Sequence, residues 1–190
     1  KHATFFHEVS GNVYRLSSGK TGIRYGLGER REVDDWPTCN FLVRKKSFID
    51  VGGFNSKYWG AEDNLLCFSL INKGKKILYD PEVVVYHYPR ENLVSHLKQT
   101  LFWGMWRGFL MKTYPKNSLR LTFFIPSFFV LWLLFGAFLL LVSNNFLYLY
   151  LILIMIYVLF LSITGIRTKS FKLFFPVIVV TAMSQIVYGI

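Results

Sequence analysis

Two adjacent carboxylates, Glu62 and Asp63, offer the clearest chemistry in this sequence. They stand in the stretch Trp59-Gly60-Ala61-Glu62-Asp63-Asn64, after a small flexible pair and before the apolar run Leu65-Leu66-Cys67-Phe68-Ser69-Leu70-Ile71. That run closes on Asn72-Lys73-Gly74, a basic last turn followed by a glycine suited to the position just past a helix end. The pattern predicts a helix with both acids in its first turn. The helix dipole favours anions there, so at least one carboxylate stays ionised and able to accept a proton. Acids are common at helix starts, so the pair alone does not establish catalysis. A second candidate is His87, at the far end of Glu82-Val83-Val84-Val85-Tyr86-His87-Tyr88, where an imidazole can ligate a metal beside a phosphate leaving group or serve as an ordinary structural residue.

The elements that position these groups are read from charge and periodicity. Of 190 residues, 53% are hydrophobic and 22 are basic against 11 acidic. All 11 acids and 19 of the basic residues lie at or before Arg120, which leaves that part at +8; beyond it stand only Arg167, Lys169 and Lys172. This is a basic polar domain followed by apolar segments. Basic charge fits anionic lipid or a phosphorylated small molecule, and the apolar segments favour those partners over nucleic acid. Cys39 and Cys67 are too few and too dispersed for a disulfide framework or a zinc site and are expected to be reduced thiols. The chain starts at Lys1 and ends in an apolar run, and it is expected to be a fragment.

Residues 1–36, punctuated by Gly11, Gly19, Gly22, Gly26 and Gly28, are expected to be turn-rich, with Arg24, Arg30 and Arg31 interleaved as in a loop that closes over an anion or in an ordinary solvated surface loop. Thr38–Val43 and Glu82–Tyr88 are expected as strands, and Ser47 is expected to cap a short helix over Phe48–Val51 that Gly52-Gly53 ends. From Glu91 to Lys112, Leu93, Leu97, Leu101, Met105 and Phe109 recur every four residues among Trp, Phe and basic side chains, as in an interfacial helix. Three uncharged runs follow at about 121–142, 146–166 and 173–190, the third interrupted by Pro176, Ser184 and Gln185. The first covers about 33 Å as a helix, against roughly 30 Å of hydrocarbon. Basic residues flank the first pair of runs on the outside, while Ser143-Asn144-Asn145 between them carries none. The positive-inside rule therefore places residues 1–120 in the cytoplasm of a multi-pass protein of the cell membrane.

In this order and at these spacings, Asn40-Phe41-Leu42-Val43-Arg44-Lys45, Gly52-Gly53-Phe54, Glu62-Asp63, Lys73-Gly74, Tyr79-Asp80-Pro81 and Val85-Tyr86-His87 resemble the second half of a family 2 glycosyltransferase domain. Val33-Asp34-Asp35-Trp36 is similar to a segment of its rhamnosyltransferase-like members. The resemblance implies an α/β GT-A domain, here the C-terminal half over 1–90, an interfacial segment over 91–118, and membrane helices over 119–190. It implies that Asp63 is the base of an inverting transfer, that Glu62 orients the site, and that His87 binds the Mg²⁺ or Mn²⁺ of a nucleotide diphosphate sugar. Asn40, Gly53 and Trp59 become candidates for contact with donor or acceptor. Gln99 and Trp103 loosely match the Gln-x-x-Arg-Trp acceptor motif, with Phe102 where the arginine stands in processive members. The implied acceptor is a hydroxyl of a glycan or a lipid-linked sugar in cell-surface polysaccharide synthesis. The family's Asp-x-Asp metal motif does not occur at its usual place, so the nucleotide-binding half and the main metal ligands are expected upstream of Lys1. The alternatives are a non-catalytic membrane scaffold that keeps part of the fold, and a small polytopic protein with a lipid-binding basic domain.

Overall fold

The computed structural model describes residues 3–17, 28–58, 60–142 and 146–190. The chain is mostly helical and divides into two compact units. One comprises Lys1–Gly19, Tyr88–Met105 and Arg120–Ile190; the other comprises Lys20–His87 and Trp106–Leu119.

The first unit opens with helix α1, Phe5–Ser17. Its start is a reciprocal cap in which the His7 N–H donates to Thr4 Oγ1 at 3.3 Å and the Thr4 N–H donates to His7 Nδ1 at 2.8 Å. Histidine here takes the part usually played by Glu or Gln three residues after the cap. This corrects the expectation of a turn-rich segment as far as residue 17. The residues beyond, 18–27, including Gly19, Gly22, Arg24 and Gly26, lie outside the described residues. Val9 and Val13 of α1 pack into a buried cluster with Leu173, Val177 and Val180 of helix α8, Phe171–Gly189.

Helix α4 spans Leu93–Thr113, with the Asn92 side chain accepting the Ser95 N–H at 2.9 Å as its cap. The four-residue apolar row does not form its buried face: Leu101 and Met105 are exposed, while His96, Thr100 and Leu110 are buried. A row spaced strictly by four advances about 40° per step at 3.6 residues per turn, so it winds around the helix.

The apolar runs form α6 (Ile125–Val142, led by a 3₁₀ turn at Leu121–Phe124), α7 (Leu147–Ile166) and α8. Helices α7 and α8 are each long and apolar enough to cross a membrane, and α6 is a shorter apolar helix over its described side chains. Close approach is set by glycine. A Cβ on Gly165 would lie 2.8 Å from Ile178, and one on Gly104 would lie 2.7 Å from the Tyr188 carbonyl oxygen.

The second unit holds a two-stranded antiparallel sheet, β1 (Arg31–Val33) with β2 (Ile77–Tyr79), in the register Arg31↔Tyr79, Glu32↔Leu78, Val33↔Ile77. Helix α2 (Lys45–Asp50) starts at Arg44 without a side-chain cap, so Ser47 lies inside the helix and is not its cap. Its end is a Schellman motif: Gly53 N–H donates to Phe48 O and Gly52 N–H to Ile49 O, both at 2.9 Å, with both glycines at positive φ. Helix α3 (Glu62–Asn72) ends the same way, with Lys75 N–H donating to Leu70 O at 3.0 Å and Gly74 N–H to Ile71 O at 2.8 Å. Leu65 and Phe68 of α3 form a core with Ala61 and with Leu110 from the end of α4. Each such large apolar side chain contributes roughly 1.5–3 kcal/mol by burial. A short helix, α5 (Pro115–Ser118), completes the unit.

Two expected strands are absent from the described sheet. Thr38–Asn40 is a 3₁₀ turn begun after Pro37, and Glu82–Tyr88 runs without ladder pairing. Both runs have strand-forming composition, but a strand needs neighbours for its N–H and C=O groups. Here β2 is paired with β1, and the Val83 carbonyl accepts instead from Asn40 Nδ2 at 3.1 Å. Tyr86 is fully exposed. Among the described residues the architecture is mostly α with a small two-stranded sheet.

Candidate active site at the start of helix α3

Asp63 is the second residue of α3, and the turn that carries it is built without a conventional cap. Ala61 stands at the N-cap with φ −129° and ψ 7° and supplies no side-chain acceptor. The acids take over part of that work. Glu62 Oε2 accepts the Gly60 N–H, reaching backwards out of the helix. Asp63 Oδ1 accepts the Asn64 N–H at 2.8 Å. Both side chains are half-buried at the positive end of the helix dipole and keep contact with solvent.

Around this turn the fold gathers residues from two other segments. Asn64 Nδ2 donates to Asp35 Oδ2 at 2.8 Å, and Arg107 Nη2 of α4 lies 3.7 Å from the same oxygen. One turn along, the buried Cys67 thiol donates to the Trp36 carbonyl at 3.7 Å. Burial pushes the Cys67 thiol up to about 11, against a weaker opposing effect of that hydrogen bond, and the charges of Asp35 and Asp63 add to the rise. Cys67 is therefore a neutral packing residue, and Asp35 and Asp63 act on a common neighbourhood. Neither Asp35 nor Arg107 stands out in the sequence as a site residue. The Asp34-Asp35 pair ahead of Trp36 is the one local signal, and nothing in its spacing identifies the helix it meets.

The other expected site residues fall in different places. Asn40 holds the Val83 carbonyl and lines a groove of about 720 Å³ with Trp36, Leu42, Arg44, Lys75 and Tyr79. Gly53 has φ +70°, and a Cβ there would lie 3.1 Å from the Phe48 ring, so its place in the structure is the stop of α2. Trp59 lies outside the described residues. His87 is exposed at the end of the unpaired run. Gln99 and Trp103 belong to the first unit, where Gln99 Oε1 accepts from Arg90 Nε at 3.0 Å and Tyr14 OH at 3.3 Å, and the Trp103 ring lies 5.2 Å from that of Tyr14.

Among the described residues, no three His, Cys, Asp or Glu side chains are grouped so as to hold a metal ion. Glu32, in the Glu32-Val33-Asp34 stretch, pairs with Lys76. The described residues thus do not by themselves fit a Mg²⁺ or Mn²⁺ centre. A half-buried carboxylate held at a helix start has the chemistry to accept a proton from a hydroxyl brought within hydrogen-bond reach.

Over 68 residues, 36% of its length, the chain is 32% identical to the pre-mycofactocin glycosyltransferase of Mycobacterium tuberculosis, in both strain CDC 1551 / Oshkosh and strain ATCC 25618 / H37Rv. This likeness is to a glycosyltransferase. The matched stretch covers 14% of each of those two relatives. No family model matches the chain, and no solved structure matches it.

Proposed function

We propose that this chain is part of a membrane-anchored, inverting glycosyltransferase of the family 2 type, with Asp63 as its general base. The observation that carries the reading is the α3 turn itself, an uncapped helix start whose two carboxylates are held in place by neighbouring N–H groups. The partial likeness to a glycosyltransferase supports it. In the proposed reaction an acceptor hydroxyl on a glycan or lipid-linked sugar attacks the anomeric carbon of a nucleotide diphosphate sugar. The C–O bond to the diphosphate breaks as the new glycosidic C–O bond forms. Asp63 takes the hydroxyl proton, and the nucleoside diphosphate leaves with the electron pair. Glu62, tied to Gly60, keeps the turn in shape.

The apolar helices would anchor the enzyme in the cell membrane as a multi-pass protein, with residues 1–120 on the cytoplasmic side, where nucleotide sugars are found. A divalent ion, Mg²⁺ or Mn²⁺, would need ligands beyond the described residues, with His87 this chain's candidate contribution. The product would belong to cell-surface polysaccharide synthesis. The reading is tested by expressing the native reading frame in membranes and supplying labelled UDP-, GDP- and dTDP-sugars. Transfer of label into glycan or lipid with release of nucleoside diphosphate supports it. Absence of transfer from every donor, in membranes that contain folded protein, favours the scaffold reading.

A further inference from the structure

The turn that carries Asp63 lacks the N-cap side-chain hydrogen bond that ordinarily holds a helix start. A reactive carboxylate there needs another restraint, because catalytic geometry tolerates little displacement. The restraint runs through Asn64. Its backbone N–H is donated to Asp63 Oδ1 at 2.8 Å, and its side-chain Nδ2–H is donated to Asp35 Oδ2 at 2.8 Å. Asp35 is in turn held by Arg107, whose Nη2 lies 3.7 Å from that oxygen. The Arg107 and Asp35 side chains are only 15% and 22% exposed, so the pair is largely withdrawn from solvent. Removing the arginine would leave a partly buried carboxylate without its counter-charge. The Trp36 carbonyl fastens the same segment to α3 through Cys67.

We propose that Asp35, backed by Arg107, is a positioning residue for Asp63, acting through Asn64 to fix the turn from which the base works. The proposal rests on the reading of Asp63 as the base. Asp35 itself need touch neither substrate. Its carboxylate fixes the Asn64 side chain, and the Asn64 amide then fixes the Asp63 carboxylate. The linkage is between an oxygen acceptor and an amide donor, so an asparagine at position 35 can still serve it, whereas an alanine cannot.

The test compares Asp35→Ala, Asp35→Asn and Asn64→Ala in the native-length protein in membranes, assayed for transfer from the same nucleotide-sugar panel. Asp35→Ala is expected to lower kcat per folded molecule by about 10- to 100-fold, with donor KM within about twofold. Asp35→Asn is expected to retain most of the rate. Asn64→Ala is expected to match Asp35→Ala, and the double variant to be no worse than either single change. An unchanged kcat for folded Asp35→Ala, or an Asp35→Asn enzyme as slow as the alanine variant, overturns the proposal. If Asp63→Asn retains full kcat while Asp35→Ala loses it, the reading of Asp63 fails, and the positioning proposal with it. If Asp63→Asn loses activity while Asp35→Ala does not, the positioning proposal alone fails. Should Asp35→Ala fail to accumulate in membranes, hydrogen exchange on the detergent-solubilised 190-residue chain gives the second measurement. The amides of Leu65–Phe68 are then expected to exchange faster in Asp35→Ala than in Asp35→Asn, and equal rates overturn the proposal.

Discussion

Replacing His96 with glutamine offers a sharp test of how the first unit is held together. His96 on α4 is fully buried, with Nδ1 2.8 Å from Ser10 Oγ of α1 and Nε2 2.9 Å from Ser184 Oγ of α8. The Ser184 hydroxyl donates to the Val180 carbonyl at 2.6 Å, so its oxygen is left to accept, and the assigned tautomer is the neutral imidazole with hydrogen on Nε2. Nδ1 then accepts from Ser10. Tyr14 stacks on the ring with centroids 4.7 Å apart, and Phe6 meets it edge-on. Burial lowers the His96 pKa from 6.5 to about 4. Because the folded value is below the unfolded one, the unfolded chain binds the extra proton between those limits. The contribution is fully present above pH 6.5 and is lost as the pH falls towards 4. The shift corresponds to about 3 kcal/mol at most and, allowing for screening, to roughly 1–3 kcal/mol. Equilibrium unfolding of the detergent-solubilised chain is measured at pH 7 and pH 4 for the native residue and for His96→Gln. The native protein is expected to lose roughly 1–3 kcal/mol more than the variant over that interval. Every other ionisable side chain is common to the two proteins, so its contribution cancels in the difference. Parallel pH dependences would refute the buried, neutral assignment.

The remaining predictions concern packing, thiol chemistry and orientation. Gly104→Ala is expected to destabilise the first unit, because the new Cβ would lie 2.7 Å from the Tyr188 carbonyl oxygen, whereas Gly108→Ala meets nothing within 4 Å. The second change is expected to stabilise α4 by about 0.5–1 kcal/mol, and chemical unfolding of the two variants checks the contrast. Cys39 is exposed and Cys67 is buried with its thiol near 11, so maleimide at neutral pH is expected to label Cys39 alone, as read by peptide mass. With the native cysteines replaced, a cysteine at Asn144 is expected to label from outside intact cells and one at Lys116 to be protected. The reverse pattern would overturn the proposed orientation.

The sequence is legible where structure is decided locally. Gly74 stops α3 and Gly52-Gly53 stop α2 because left-handed backbone at a helix end is a requirement of the turn itself. Long apolar runs gave α7 and α8 for the same reason: every backbone group of a helix is satisfied within the segment. Helix α1 is not legible locally because Ser10, Gly11 and Asn12 lower its intrinsic propensity, and its stability comes from Val9 and Val13 packing against α8. The runs at Thr38–Val43 and Glu82–Tyr88 show the converse. Their composition suits strands, but β structure is a property of pairs, and no single sequence states which neighbours are available. The same holds at the candidate site. Glu62 and Asp63 are visible as a doublet at a helix start. Asp35 and Arg107 join them only through tertiary contacts, for which the sequence carries no spacing rule.

The most direct measurement is the turnover of Asp63→Asn in the native-length protein, taken per folded molecule with saturating donor and acceptor. Asparagine keeps the size of the side chain and one oxygen able to accept the Asn64 N–H, so packing of the turn is preserved. It cannot accept a proton. If Asp63 is the base, kcat falls by about 10²–10⁴ while donor affinity changes little, because the proton moves only in the transition state. Glu62→Gln, which alters a residue tied to the Gly60 amide, is expected to be milder. A well-folded Asp63→Asn enzyme turning over at the native rate would contradict the account.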